Sequence, residues 1–296
     1  MSNNFKQNGH PFIEIITPID RQNHIDITIG ISNNGSIDSS NIMVFFTNHH
    51  ENNYANAIVE YCSTNVLDIT SNNITIQTRN FPVFGMGSDP YFNTIEGIIL
   101  YKPINYTINS DEIIISNRIP NSTSVLSYNI LSGSSDNYYH FIQTTHNSTD
   151  LVKFILYKNT NNYKVHYMGY LADSRHNYFG HGYYTHGMNY IAIHKNIETY
   201  YSGSNTFIKV GESQLAGSNI IVITHNLGSS NYVVLVNPFF MTNSIDTQTT
   251  NHMYSMAVKK DVNTVEFYGL DYNFNDQSGA EHVSFKFNYA IIGYTP

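Results

Sequence analysis

Residues Ile220–Phe240 read IIVITHNLGSSNYVVLVNPFF, two β-branched runs on either side of a turn-forming heptad. The first run is apolar through Ile220, Ile221, Val222 and Ile223, the second through Val233, Val234, Leu235 and Val236. Neither alternates with polar residues. Short continuous apolar runs bounded by Gly, Asn and Ser read as strands covered on both faces. Gly228 can take a positive φ, and the flanking Asn and Ser side chains bond to local backbone, so the segment predicts a hairpin. Pro238 lacks the N–H a ladder needs and predicts the end of the second strand. A two-sided apolar strand requires a covering layer on each side or a partner subunit on one. We expect sister copies of the chain to supply that cover.

Working downstream, MYSMAVKK and TVEFYGLDY are joined by Asp261-Val262-Asn263, which predicts a turn. The last strand starts with alternation: Val283, Phe285 and Phe287 fall on one face, Ser284, Lys286 and Asn288 on the other. It then becomes wholly apolar at Ala290, Ile291 and Ile292. This density of strands in about 90 residues predicts a compact antiparallel sandwich.

Upstream, the same punctuation recurs in HIDITIGI (His24–Ile31), NIMVFF (Asn41–Phe46), NITIQT (Asn73–Thr78) and TIEGIILY (Thr94–Tyr101). It continues through DEIIIS (Asp111–Ser116), VLSYNIL (Val125–Leu131), LVKFILY (Leu151–Tyr157) and YKVHYMGYL (Tyr163–Leu171). No long stretch carries a 3.6-residue period; NYANAIVEYC (Asn53–Cys62) reads as helix or strand. The expected fold is all-β: two or three antiparallel β-sandwich domains with little or no helix. NRIPNSTS (Asn117–Ser124) predicts a break in the first strand series, and SGSN (Ser202–Asn205) another, giving units at 1–118, 119–204 and 205–296.

Composition narrows the function classes. Of 296 residues only 12% are charged, about half the usual share, while 41% are hydrophobic. The polar surface must come from Asn, Ser, Thr, His and Tyr. With 14 Lys and Arg, a net charge of -8 and no basic run, duplex nucleic-acid binding is disfavoured. No run is long and apolar enough to insert in a membrane, and MSNNFKQNGH has no signal-peptide core. Cys62 is the single cysteine and reads as a small buried hydrophobe in a strand.

THNLG (Thr224–Gly228), YVVLVNP (Tyr232–Pro238) and a closing FNYAIIGYT (Phe287–Thr295) together resemble the C-terminal modules of bacteriophage tail-fibre and baseplate receptor-binding proteins. The resemblance covers about residues 219–295. It implies a virion protein, a homotrimer, contact with other virion proteins and attachment to a host-surface glycan. It also implies a module without enzymatic chemistry. A purely structural virion component, such as a head fibre or connector, and a polysaccharide depolymerase are the alternatives; a lectin outside any virus is a further one.

Candidate contacts fall in two loops. RHNYFGHGYYTHGMNYIAIH (Arg175–His194) offers Tyr183 and Tyr184 for stacking on sugar faces, and His181 and His186 as metal ligands. Their spacing fits no standard zinc motif. DYNFNDQSGAEH (Asp271–His282) puts oxygen ligands at Asp271, Asn273 and Asn275, but Asp276 stands where a calcium loop needs Gly and His282 where it needs Glu. It reads as a turn whose Tyr272, Asn273, Asn275 and Asp276 can meet a carbohydrate. His225 has no accompanying nucleophile motif and reads as a turn histidine. FGMGSDP (Phe84–Pro90) lacks Gly-Lys-Ser/Thr and reads as a turn rather than a phosphate loop. No catalytic residue and no cofactor is expected.

Overall fold

A computed structural model describes residues 4–7, 10–20, 26–31, 38–50, 60–82, 93–101, 114–122, 127–132, 137–145, 151–158, 162–170, 186–200, 206–215, 220–241, 252–273 and 285–294. The fold is all-β, as the strand runs predict. The first sheet orders β1 (Asn4–Gln7), β2 (His10–Asp20), β7 (Asn93–Tyr101) and β4 (Ile42–His50). The second orders β3 (Asp26–Gly30), β6 (Asn73–Pro82), β5 (Glu60–Ile69), β10 (Tyr138–Thr145), β13 (His186–His194) and β8 (Ile114–Ser122). The third orders β14 (Thr206–Leu215), β19 (Phe285–Tyr294), β16 (Tyr232–Met241), β11 (Leu151–Lys158), β12 (Asn162–Tyr170) and β9 (Ser127–Ser132). The fourth is short: β15 (Ile221–Thr224), β18 (Thr264–Asn273) and β17 (His252–Lys260). Pairing is antiparallel except where β10 meets β5 and β11 meets β16. A single helical turn, α1 (Ile197–Tyr200), follows β13. Among the described residues no helix is long and apolar enough to cross a membrane.

The non-alternating apolar runs follow from layering. Along β16, Val233 and Leu235 point into one core while Tyr232 and Val234 point into another. Along β19, Ala290 and Ile292 join the first core, and Phe287, Tyr289 and Ile291 the second. The third sheet is thus covered by the first and second sheets on one face and by the fourth on the other. The first sheet is treated alike: Met43, Phe45, Ile98 and Leu100 face the third sheet, while Ile42, Val44, Ile99 and Tyr101 face Ile74 and Ile76 of the second. Along β16, β19, β4 and β7 these apolar side chains have a core to enter whichever way the period-2 strand points them. The expectation that sister copies cover β16 and β19 is therefore corrected: both faces are capped inside one chain.

Three further expectations change. Ile220–Thr224 and Tyr232–Met241 are not hairpin partners; β15 pairs with β18 in the fourth sheet and β16 with β19 in the third. The heptad is a crossing between layers. Pro238 does not end β16, which runs on to Met241. The Val234 N–H points away from β19, to a glutamate oxygen, and residues two and four further along present their nitrogens to the same edge. Pro238 therefore costs no bond to β19. Asn117–Ser122, read as part of a break, is strand: β8 runs through Pro120 as the outermost strand of its sheet, with a register shift between Ile119 and Ser122. The second sheet draws strands from both sides of residue 118, the third from both sides of residue 204. The turn at Asp261–Asn263 does join β17 to β18, as expected.

Polar residues inside the stack serve strand edges. The Phe46 N–H donates to Gln143 Oε1 at 3.0 Å, and Gln143 Nε2 donates to the Thr64 carbonyl at 2.7 Å. The Ile142 N–H donates to Asn237 Oδ1 at 3.3 Å, and Asn288 Nδ2 to the His140 carbonyl at 3.2 Å. Asn189 Nδ2 lies 3.4 Å from the Val44 carbonyl. Where two sheets meet, ladder groups lose their strand partner, and a buried backbone group left unsatisfied is costly. A side-chain amide, both donor and acceptor, fills either vacancy. Asn288, on the face opposite Phe287, is fully buried.

Gly97 sits in β7 opposite Phe46. A Cβ there would collide with the Phe45 carbonyl oxygen, a backbone atom that cannot swing aside. Gly97→Ala is expected to cost about 1–3 kcal/mol or more, as overpacking does, read as a lower urea midpoint.

Candidate functional site

The crossing that carries the HNLG motif is built from the chain outward. Asn226 adopts φ 57° and Gly228 φ 68°, so the backbone turns left-handed twice. Asn tolerates this conformation better than other non-glycine residues, and Gly pays nothing for it. Gly228→Ala is expected to cost about 1–2 kcal/mol from the left-handed backbone alone, checked by thermal melting, because nothing crowds that position.

The crossing is docked on the β17–β18 turn. His225 and Asn226 donate their N–H groups to the Asn263 carbonyl at 2.9 and 3.2 Å, and Ser229 donates to the Val262 carbonyl at 3.1 Å. Gly228 N–H donates to Asn263 Oδ1 at 3.1 Å. The motif and the Asp-Val-Asn turn are therefore halves of one structure. Leu227 enters the core beneath.

His225 is 6% exposed. Its Nδ1 accepts the Leu227 N–H at 3.1 Å, so the neutral ring carries its proton on Nε2. Its ring meets the Tyr232 ring edge-on at 4.7 Å. Burial pushes its pKa below the ordinary 6.5, with nearby Lys209 adding to the depression; the Thr264 and Asp261 carbonyls and the Asp261 charge oppose it. The Tyr232 hydroxyl donates to the Asp261 carbonyl at 2.8 Å, with the Thr264 carbonyl 3.1 Å away.

Beneath Tyr232 lies an ion pair. Lys260 Nζ donates to Glu96 Oε2 at 2.6 Å and to the Tyr232 carbonyl, and stands 4.8 Å from the Tyr232 ring centroid. Glu96, from β7, is fully buried, and its Oε1 accepts the Val234 N–H at 2.9 Å. Burial raises the Glu96 pKa above the usual carboxylate value, while Lys260 and the Val234 N–H pull it back. One carboxylate thus joins the first, third and fourth sheets. Its sequence signal is a single acid inside an apolar strand, TIEGIILY.

The residues expected to bind carbohydrate or metal lie elsewhere. Tyr183, Tyr184, His181, Asn275 and Asp276, and with them the turn at Phe84–Pro90, fall outside the described residues. His186 pairs with Ser122 at the start of β13. Tyr272 and Asn273 pair with Met253 and His252 at the far end of the β17–β18 ladder from the crossing. Among the described residues no three His, Cys, Asp or Glu side chains gather as a metal site. No family model, curated protein or solved structure matches this chain.

Proposed function

We propose that this chain is a virion protein of the tail-fibre or baseplate receptor-binding kind, attaching to a host-surface glycan as a homotrimer. One observation carries the reading. The three sequence segments that bear the resemblance converge in space: the HNLG crossing sits on β16, β16 pairs with β19, and Gly293 of the closing strand lets Tyr232, Asn231 and Leu227 pack against it without a side chain between. The trimer no longer draws on β16 and β19. It draws on the resemblance and on Ile220 and Val222, which are 48% and 54% exposed at the start of and within the outer strand β15.

A structural connector without a receptor is the second reading. It is favoured by the core that runs from Ile13 through Phe141 to Ile292, which makes the C-terminal strands part of the whole rather than a detached knob. Binding of the full chain to host cells and to their purified surface polysaccharide separates the two. Saturable binding that free polysaccharide competes away supports the adhesin. Incorporation into virions with no such binding supports the connector, and release of reducing ends from the polysaccharide would point to a depolymerase.

A further inference from the structure

We propose that His225 is a proton-operated latch on the crossing between the third and fourth sheets. The geometry is specific. Nδ1 accepts the Leu227 N–H, which is possible only while that nitrogen is unprotonated. A second proton would set two donors against each other inside a turn that already holds Asn226 and Gly228 left-handed. The ring is enclosed by Phe207 at 6.0 Å and Tyr232 at 4.7 Å, so the imidazolium has no water to turn to. Release of the Leu227 N–H frees the crossing from Val262 and Asn263, and with it the register between β15 and the β17–β18 turn.

The surrounding charges decide the sign. From β14 comes Lys209, whose Nζ donates to the Thr224 carbonyl at 2.7 Å, a cation beside the ring. From the β17–β18 turn comes Asp261, which favours the imidazolium, as do its carbonyl and that of Thr264. Lys260 stands over the Tyr232 ring and is paired with Glu96. Burial outweighs the rest and holds the ring neutral. A histidine depressed below its unfolded value contributes stability above about pH 6.5 that is lost as pH falls toward the folded pKa. The latch is closed at neutral pH and opens in acid, as on entry to an acidified compartment or surface layer. This inference is independent of the receptor proposal.

The test is residue-resolved amide exchange on the isotopically labelled full chain from about pH 7.5 to about pH 5, beside the imidazole titration of His225 by NMR. The protection factors of the Leu227 and Gly228 amides are expected to fall by up to about tenfold per pH unit below about pH 6.5 and to level off once the folded-state His225 protonates. In His225→Asn the side-chain Oδ1 takes the place of Nδ1 and cannot titrate, so protection at Leu227 is expected to stay level with pH. Val222→Ser, on the exposed face of β15, is expected to keep the wild-type profile. The same acid response in His225→Asn, its loss in Val222→Ser, or a His225 pKa at or above 6.5 in the wild type would each overturn the latch. The direct titration decides the matter even where a variant does not fold.

Discussion

Lys260→Met is expected to lower the stability of the fold by about 3–5 kcal/mol at neutral pH, the cost of leaving a buried charge without its partner. Glu96 is fully buried, and its carboxylate would lose its cation while the Val234 N–H stays in place. The loss is expected to depend on pH. Without Lys260 the Glu96 pKa rises further, and a group raised in the folded state stabilises below its unfolded value and loses that contribution as pH rises through its folded value. The variant should therefore lie closest to the wild type in mild acid and furthest from it in mild alkali. Adding Glu96→Gln removes the orphaned charge and keeps an oxygen for Val234, so the double variant is expected to regain most of the loss. Urea midpoints of the four proteins of this cycle, taken at two pH values, measure it. Equal losses in the single and double variants would show that Lys260 acts through packing on Tyr232 instead.

Phe287→Ala is expected to cost a further comparable amount, about 3–5 kcal/mol, because a fully buried ring leaves a cavity behind. Phe287 packs 5.0 Å from Phe267 of the fourth sheet and 6.3 Å from Tyr289. It is one of the side chains through which the third sheet rests on the fourth. Val222→Ser, on the outward face of β15, is expected to change stability by no more than about 0.5 kcal/mol. That contrast tests which face of each apolar run is covered. Run continuity alone points the wrong way here, since Val222 sits in a wholly apolar run and Phe287 in an alternating one. A denaturation midpoint for each variant, compared at low and high protein concentration, separates an inner face from one that a copy covers.

Much of the strand content was legible because Ile, Val, Phe and Tyr recur in short runs between Asn and Gly. The turn at Asp261–Asn263 and the β17–β18 ladder were legible for the same reason. The crossing was not. A strand, a Gly-containing turn and a second strand encode a hairpin and a layer change alike, and the choice rests on β18 and β19, which lie far downstream. Pro238 misled because its effect depends on which edge its nitrogen faces, and that is fixed by how β16 pairs with the distant β19. The buried amides were hidden by the composition itself: among so many asparagines, Asn189, Asn237 and Asn288 look no different from surface residues. Their signal is a lone polar residue within an apolar strand, and Glu96 carries the same one. The expected carbohydrate and metal residues were chosen from loops, where side-chain chemistry is plain in sequence and spatial neighbours are not.

β16 and β19 are sealed on both faces by layers of their own chain. Hydrogen exchange on peptides spanning Tyr232–Val236 and Asn288–Ile292, followed from high micromolar to low nanomolar protein, tests it most directly. Strong protection that does not change on dilution is the predicted result. Protection that falls away as the protein is diluted would mean that sister copies supply the cover, and would contradict the layered single-chain core.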